Sequence, residues 1–133
     1  RDADGYFTGG WNMYLTPREL AKFGLLYLHQ GEWQGQQVLP ADWVAESLAY
    51  HAAAGEGSDT YYGYWWWLSS MWNYDVYSAR GGGGQMIFLV PELDLLFVTT
   101  SDAGYQGRPN QFDALAFLWE YVIPSAMADQ LDE

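Results

Sequence analysis

The chain has 133 residues, half of them hydrophobic, with 5 Lys and Arg against 17 Asp and Glu for a formal net charge of −12. That length suits one domain with a real core, and that apolar content excludes a disordered chain. So few cations exclude a nucleic-acid backbone as partner and disfavour a membrane surface, while the absence of cysteine excludes disulfides, thiolate zinc sites and a cysteine nucleophile.

The chain begins at Arg1 without a methionine or a signal peptide, which reads as a fragment or a processed product. Residues 1–15 read as loop, broken at Gly9-Gly10. The first element is a helix. Thr16 suits its N-cap, Pro17 its first position and Glu19 the reciprocal place in a capping box. Leu20, Phe23, Gly24 and Tyr27 then share one face, and Gly31 ends the helix. Residues 33–39 read as a turn or short hairpin, and Pro40 to Leu48 as a second, shorter helix. Residues 51–60 are small and polar, hence a loop.

Four strands follow: Tyr61 to Leu68, Tyr74 to Ala79, Gln85 to Val90, and Leu93 to Thr100. Pro91-Glu92-Leu93-Asp94 turns between the last two. A final helix is expected from about Gln111 to Ile123, with Phe112, Leu115, Ala116, Trp119, Val122 and Ile123 in one apolar stripe. The acidic tail after Pro124 is expected to fray.

Alternation puts Tyr64 and Trp66 on one face of their strand, Trp65 and Trp67 on the other. A sheet that is apolar on both faces needs cover on both. The expectation is α+β, an antiparallel sheet flanked by helices, over a single domain spanning residues 1–133. Three helices and four strands are few for that task, which fits a domain lacking an N-terminal portion.

The most informative segment is Tyr77-Ser78-Ala79-Arg80-Gly81-Gly82-Gly83-Gly84-Gln85-Met86-Ile87-Phe88. Four consecutive glycines lose much backbone freedom on folding. A chain accepts that where backbone passes very close to something. Read from residues alone, the segment is either a ligand-binding turn or a glycine-rich bulge or hairpin loop without a ligand.

Metals are not expected. His29 and His51 lack ligand spacing, and Asp2-Ala3-Asp4-Gly5 lacks the later positions of a calcium loop. Ser47, His51 and Asp59 do not make a plausible triad, because no nucleophile elbow surrounds the serine. Core packing is the expectation for Trp65, Trp66, Trp67 and Trp119. Trp11, Trp72 and Tyr105 fall in loops and suit a pocket rim, while Asn12 and Tyr14 flank the first helix.

Taken together, the motifs resemble the serine β-lactamase-related hydrolases, the S-x-x-K enzymes that include class C β-lactamases, DD-peptidases and related esterases and amide hydrolases. Gly9-Gly10 followed by Met13-Tyr14-Leu15-Thr16-Pro17-Arg18-Glu19-Leu20-Ala21-Lys22-Phe23-Gly24 is similar to that family's "GG…MT.RDLAKFG" segment. Tyr62-Gly63-Tyr64 with Trp66-Trp67, Gly81 to Gln85 with Ile87-Phe88, and Pro91-Glu92-Leu93-Asp94-Leu95 follow in the family's order. The resemblance covers nearly the whole chain and implies the C-terminal part of a β-lactamase/transpeptidase-like fold.

It also implies what is absent. The serine, the lysine three residues after it and the assisting tyrosine lie upstream in such enzymes, and no S-x-x-K occurs here. The lysine-threonine-glycine motif of the family corresponds to Ala79-Arg80-Gly81. That departure is closer to the esterase and amide-hydrolase branch than to true β-lactamases. The resemblance makes the Gly82 amide one of two oxyanion donors, lets Gly81 bring the strand edge close to substrate, and places Arg80 and Gly83 at the substrate. The implied activity is hydrolysis of an ester, amide or β-lactam-like bond through an acyl-enzyme, without a cofactor. The implied partners are a small-molecule substrate and either the N-terminal portion of the same enzyme or a second copy along an open sheet edge. The other expectation is a non-catalytic module that binds a small molecule or carbohydrate on the same scaffold.

Overall fold

Thr16 starts the first helix by the chemistry its sequence announces. Its side chain accepts the Glu19 amide at 3.3 Å, and the Glu19 carboxylate accepts the Thr16 amide at 2.7 Å. Helix α1 runs Pro17–Leu28. The chain then needs left-handed backbone: Gln30 has φ 54° and Gly31 φ 85°. A side chain at Gly31 would stand 2.2 Å from the Leu39 carbonyl oxygen, so only glycine fits. These coordinates come from a computed structural model, which describes residues 3–6, 13–55, 57, 59–101 and 111–129.

A small hairpin, β1 (Glu32–Trp33) with β2 (Gln36–Gln37), follows, then α2 (Ala41–Ser47). The main sheet is wholly antiparallel. Among the described residues it holds β3 (Ala52–Ala53), β4 (Tyr61–Tyr62), β5 (Trp67–Met71), β6 (Tyr74–Gly81), β7 (Gln85–Val90) and β8 (Leu95–Thr99), in chain order across the sheet. Each strand pairs with its sequence neighbours, and β3 and β8 form the edges. Helix α3 (Gln111–Phe117) passes through a π-helical turn at Leu118–Val122 into α4 (Ile123–Asp129).

The sheet is covered on both faces, as its sequence demands. Met86, Phe88 and Val90 of β7 pack with Val76, Leu93, Leu118 and Ile123 under the α3–α4 segment. Ile87 and Leu89 pack on the opposite face with Tyr27, Leu28, Val44 and Trp66 under α1 and α2. Residues 86–90 are all buried, the signature of a central strand with cover on both sides. The architecture is therefore α+β, an antiparallel sheet flanked by helices.

Three local expectations need correction. The strand expected over Tyr61 to Leu68 is split, because Gly63 to Trp66 leave the ladder: Gly63 N–H donates to the Trp66 carbonyl at 2.8 Å and Tyr64 N–H to the Ser47 carbonyl at 2.9 Å. That breaks the alternation, so Trp66 is 2% exposed while Trp65 is 77% exposed with φ 71°. Core packing thus fails for Trp65, and Trp119 also keeps a substantial exposed face. The loop expected over residues 51–60 contains the short edge strand β3. Past Pro124 the chain stays helical to Asp129, since Ile123 is fully buried and Ala126 and Met127 pack on the core.

Candidate functional site

The glycine segment lies where β6 turns into β7. Gly81 pairs with Gln85, which leaves Gly82, Gly83 and Gly84 as the connection. Gly83 has φ 80° and Gly84 φ 91°, so both need the left-handed freedom of glycine. Gly81 is restricted by packing instead: a Cβ there would sit 3.1 Å from Gln85 Cβ. Gly82 differs from all three. Its φ is not positive, and a Cβ would meet nothing within 4 Å. The fold has no need of glycine at position 82, which faces solvent at the tip of the turn. Among the described residues no acceptor takes the Gly82 N–H.

Side chains from the end of β8 hold this turn. Thr99 Oγ1 donates to the Gly84 carbonyl at 2.9 Å, and the Ser101 hydroxyl donates to the Gly83 carbonyl. The Gln85 side chain ties both strands together. Its amide nitrogen donates to the Ser101 carbonyl, and its oxygen accepts the Ser101 amide at 3.2 Å. The two inner carbonyls of the turn are thus occupied, while among the described residues the Gly82 amide has no acceptor. A backbone donor fixed in this way needs little reorganisation to meet a developing negative charge.

The four residues expected at the site are therefore contiguous. Arg80, Gly81, Gly82 and Gly83 run from the last strand positions into the turn. Arg80 is half-buried on the same face as Ser78. Its Nε donates to Ser78 Oγ at 2.9 Å, and its guanidinium carbon lies 5.3 Å from the centre of the Trp67 ring. Burial lowers the Arg80 pKa from its ordinary value, although a guanidinium stays charged throughout the physiological range. Trp67 is packed edge-on against Tyr62 at 4.9 Å. Gly63 to Trp66 connect β4 to β5 at the same end of the sheet, so exposed Trp65 stands at the end that carries the glycine turn.

Thr99, Ser101, Gln85, Ser78 and Trp67 were not anticipated at the site. The Thr99-Thr100-Ser101 run was visible in sequence, but its place beside Gly83 and Gly84 follows only from the β7–β8 register. Trp11, Asn12 and Tyr105 lie outside the described residues. Tyr14 is exposed just before α1, and Trp72, in the β5–β6 turn, stacks on Trp119 at 5.2 Å, far along the sheet from the glycines. The Ser47–His51–Asp59 grouping does not form: Ser47 is fully buried and donates to the Trp43 carbonyl at 2.6 Å, while His51 stacks on Tyr64 at 3.9 Å. Among the described residues no three His, Asp or Glu side chains converge on a metal position.

An open groove of about 390 Å³ lies elsewhere, lined by Asp75, Tyr77, Glu92 and Leu48 among others. Burial raises the Tyr77 pKa, and Asp75 and Glu92 add to the effect. An acidic groove with a reluctant phenol offers no activated nucleophile, so the glycine turn is the better candidate for chemistry. No protein-family model matches this chain, and no curated protein matches it either.

Proposed function

We propose that this chain is the C-terminal portion of a serine hydrolase of the S-x-x-K type, acting on an ester, amide or β-lactam-like bond through an acyl-enzyme. The observation that carries the reading is Gly82: an exposed residue, in a turn braced by Thr99 and Ser101, at a position where the fold does not require glycine. Acyl transfer builds negative charge on the carbonyl oxygen, and preorganised N–H groups stabilise it. An unobstructed approach to the Gly82 amide is what such an oxygen needs. Gly81 and Gly83 shape the turn, and Arg80 lines it. The nucleophilic serine and its base belong to the upstream portion, so this chain alone is inactive.

Edge strand β8 supports the same reading. Among the described residues its outer side has no partner strand, and Leu95 to Thr99 are only partly buried. An edge of this kind suits a strand from the rest of the enzyme.

The test is to express the chain joined to the sequence encoded upstream of Arg1 and treat it with a fluorophosphonate serine probe. Labelling of one serine in an S-x-x-K, with no labelling of the 133-residue chain, is the expected result. An upstream sequence without that motif sinks the reading.

A second reading, a carbohydrate-binding module without chemistry, is favoured by one observation. Trp65 is 77% exposed, beside Tyr64, whose ring stacks on both Trp43 and His51. Exposed aromatic faces suit sugar rings. Quenching of tryptophan fluorescence by oligosaccharides, on the chain alone, would favour this reading over the first.

A further inference from the structure

Two departures from ideal backbone meet at one exposed spot. Strands β5 and β6 pair as far as Met71 with Tyr74, so Trp72 and Asn73 alone form the turn between them. Both are left-handed, at φ 52° and φ 67°. A two-residue turn of this kind favours Asn-Gly, and a bulky side chain at positive φ is rare. Met71 and Tyr74 pack against the core on either side, yet Trp72 remains exposed. The fold thus holds a tryptophan in unfavourable backbone without burying it. Strain kept at an exposed residue points to a role outside the fold.

The second departure is the π-helical turn. The Ile123 N–H donates to the Leu118 carbonyl, five residues back, and both side chains are fully buried. That wider turn lets Leu118 and Ile123 share the core side while Trp119, between them, keeps an exposed face. Single π turns recur at functional sites. The two departures converge, because the Trp72 and Trp119 rings stack with centres 5.2 Å apart at 27°. Together they present aromatic surface to water.

Charge selects what can use that surface. Residues 67–75 and 111–129 contain Asp75, Asp113, Glu120 and Asp129 but no Lys or Arg. Glu120 is exposed next to Trp119, and the chain as a whole carries −12. Such a field repels anions and draws cations. A guanidinium suits both features, since its flat, weakly hydrated face stacks on indole while its edge pairs with a carboxylate.

We propose that Trp72 and Trp119 form a docking surface for a basic partner protein, which places an arginine on the two rings with Glu120 as counter-ion. The surface lies at the opposite end of β6 from the glycine turn and does not rest on the acyl-transfer reading.

The experiment follows the indole Nε1–H resonances by NMR in the 133-residue chain, at about physiological salt to suppress unspecific attraction. The probes are an arginine hexapeptide, a lysine hexapeptide and a neutral oligosaccharide. The expected result is a saturable shift of the Trp72 and Trp119 indoles with the arginine peptide, and binding about fivefold weaker with the lysine peptide. Trp72→Asn suits left-handed backbone and keeps the turn, yet should weaken arginine-peptide binding about tenfold. Glu120→Gln should weaken it about threefold. Thermal unfolding checks that both variants fold. Equal affinity for the two peptides, or undiminished binding by Trp72→Asn, overturns the proposal. A response of these indoles to the oligosaccharide but not to the arginine peptide overturns it in favour of a sugar. The titration is repeated on the chain joined to the sequence encoded upstream of Arg1. Binding kept there supports a separate partner, whereas binding lost there assigns the surface to the upstream portion and overturns the proposal. Serine labelling of that extended protein reports on the hydrolase reading alone, so either can fail without the other.

Discussion

Thr99 Oγ1 donates to the Gly84 carbonyl at 2.9 Å, joining edge strand β8 to the β6–β7 turn across 15 residues of sequence. The hydroxyl has no role in the apolar core, so its work is to brace the turn. Thr99→Val keeps the shape and removes the donor. It is expected to cost about 1 kcal/mol and to speed amide exchange from Gly82 to Gln85 while β7 stays protected. Unchanged exchange in the turn would show that Thr99 does not hold it.

Gly82 gives a second prediction. Its φ is not positive, as proline requires, and Gly83 after it stands at φ 80°. Gly82→Pro therefore keeps the turn and deletes the N–H. In the extended enzyme it should slow acylation about 100- to 1,000-fold, whereas Gly82→Ala should fold and react nearly as the parent does. Equal rates for the proline and alanine variants would remove Gly82 from the chemistry.

Gly63 tests the connection that carries Trp65. A Cβ there would stand 2.2 Å from the Ser47 carbonyl oxygen and 2.9 Å from that of Ala49. Both obstacles are backbone and cannot rotate away. Gly63→Ala must therefore push the β4–β5 connection off the end of α2, at about 3 kcal/mol. Urea unfolding measures the loss, and a shift below about 0.5 kcal/mol would contradict the close approach.

The pH dependence of α1 follows from its cap. Hydrogen bonds from the Thr16 backbone amide, then from its side chain, lower the Glu19 pKa from the ordinary carboxylate value, and Lys22 adds to the effect. A carboxyl that is more acidic when folded binds fewer protons in the folded state, so stability rises with pH through that window. The contribution is complete above the unfolded pKa, about 4.3, and is lost as pH falls through the lower folded value. Glu19→Gln should flatten this part of the stability curve, measured by circular dichroism from about pH 6 to pH 2. A curve as steep as that of the parent would place the pH dependence elsewhere.

Among the described residues the outer edge of β8 has no partner strand, which predicts association. The isolated chain should self-associate with rising concentration, because unpaired N–H and C=O groups on a partly apolar strand recruit another strand. Sedimentation velocity reads this directly. The upstream portion joined in cis should restore a monomer. A monomeric isolated chain at all concentrations would count against a missing strand at this edge.

Elements set by near neighbours were legible in the sequence. Thr16, Pro17 and Glu19 fix the start of α1 within four residues, because a cap uses groups one turn apart. The bulky apolar residues of the strands declared a sheet that needs cover on both faces, although the Tyr64 to Trp67 alternation behind that reading is broken and it is Met86 to Val90 that are buried throughout. The glycines declared a turn of unusual backbone, and Gly83 and Gly84 have it.

What the sequence could not decide was set over longer distances. Gly63 leaves the ladder because α2 comes too close, so three adjacent tryptophans lose their alternation and Trp65 turns outward while Trp66 turns in. The helix beyond Pro124 persists because Ile123 and Met127 find a core that local charge does not reveal. Thr99 and Ser101 reach the glycine turn, and Arg80 reaches Trp67, only through strand register. Register is fixed by burial and turn geometry across the whole sheet. The residues of the turn were thus visible in one dimension, while the contacts that hold it exist only in three.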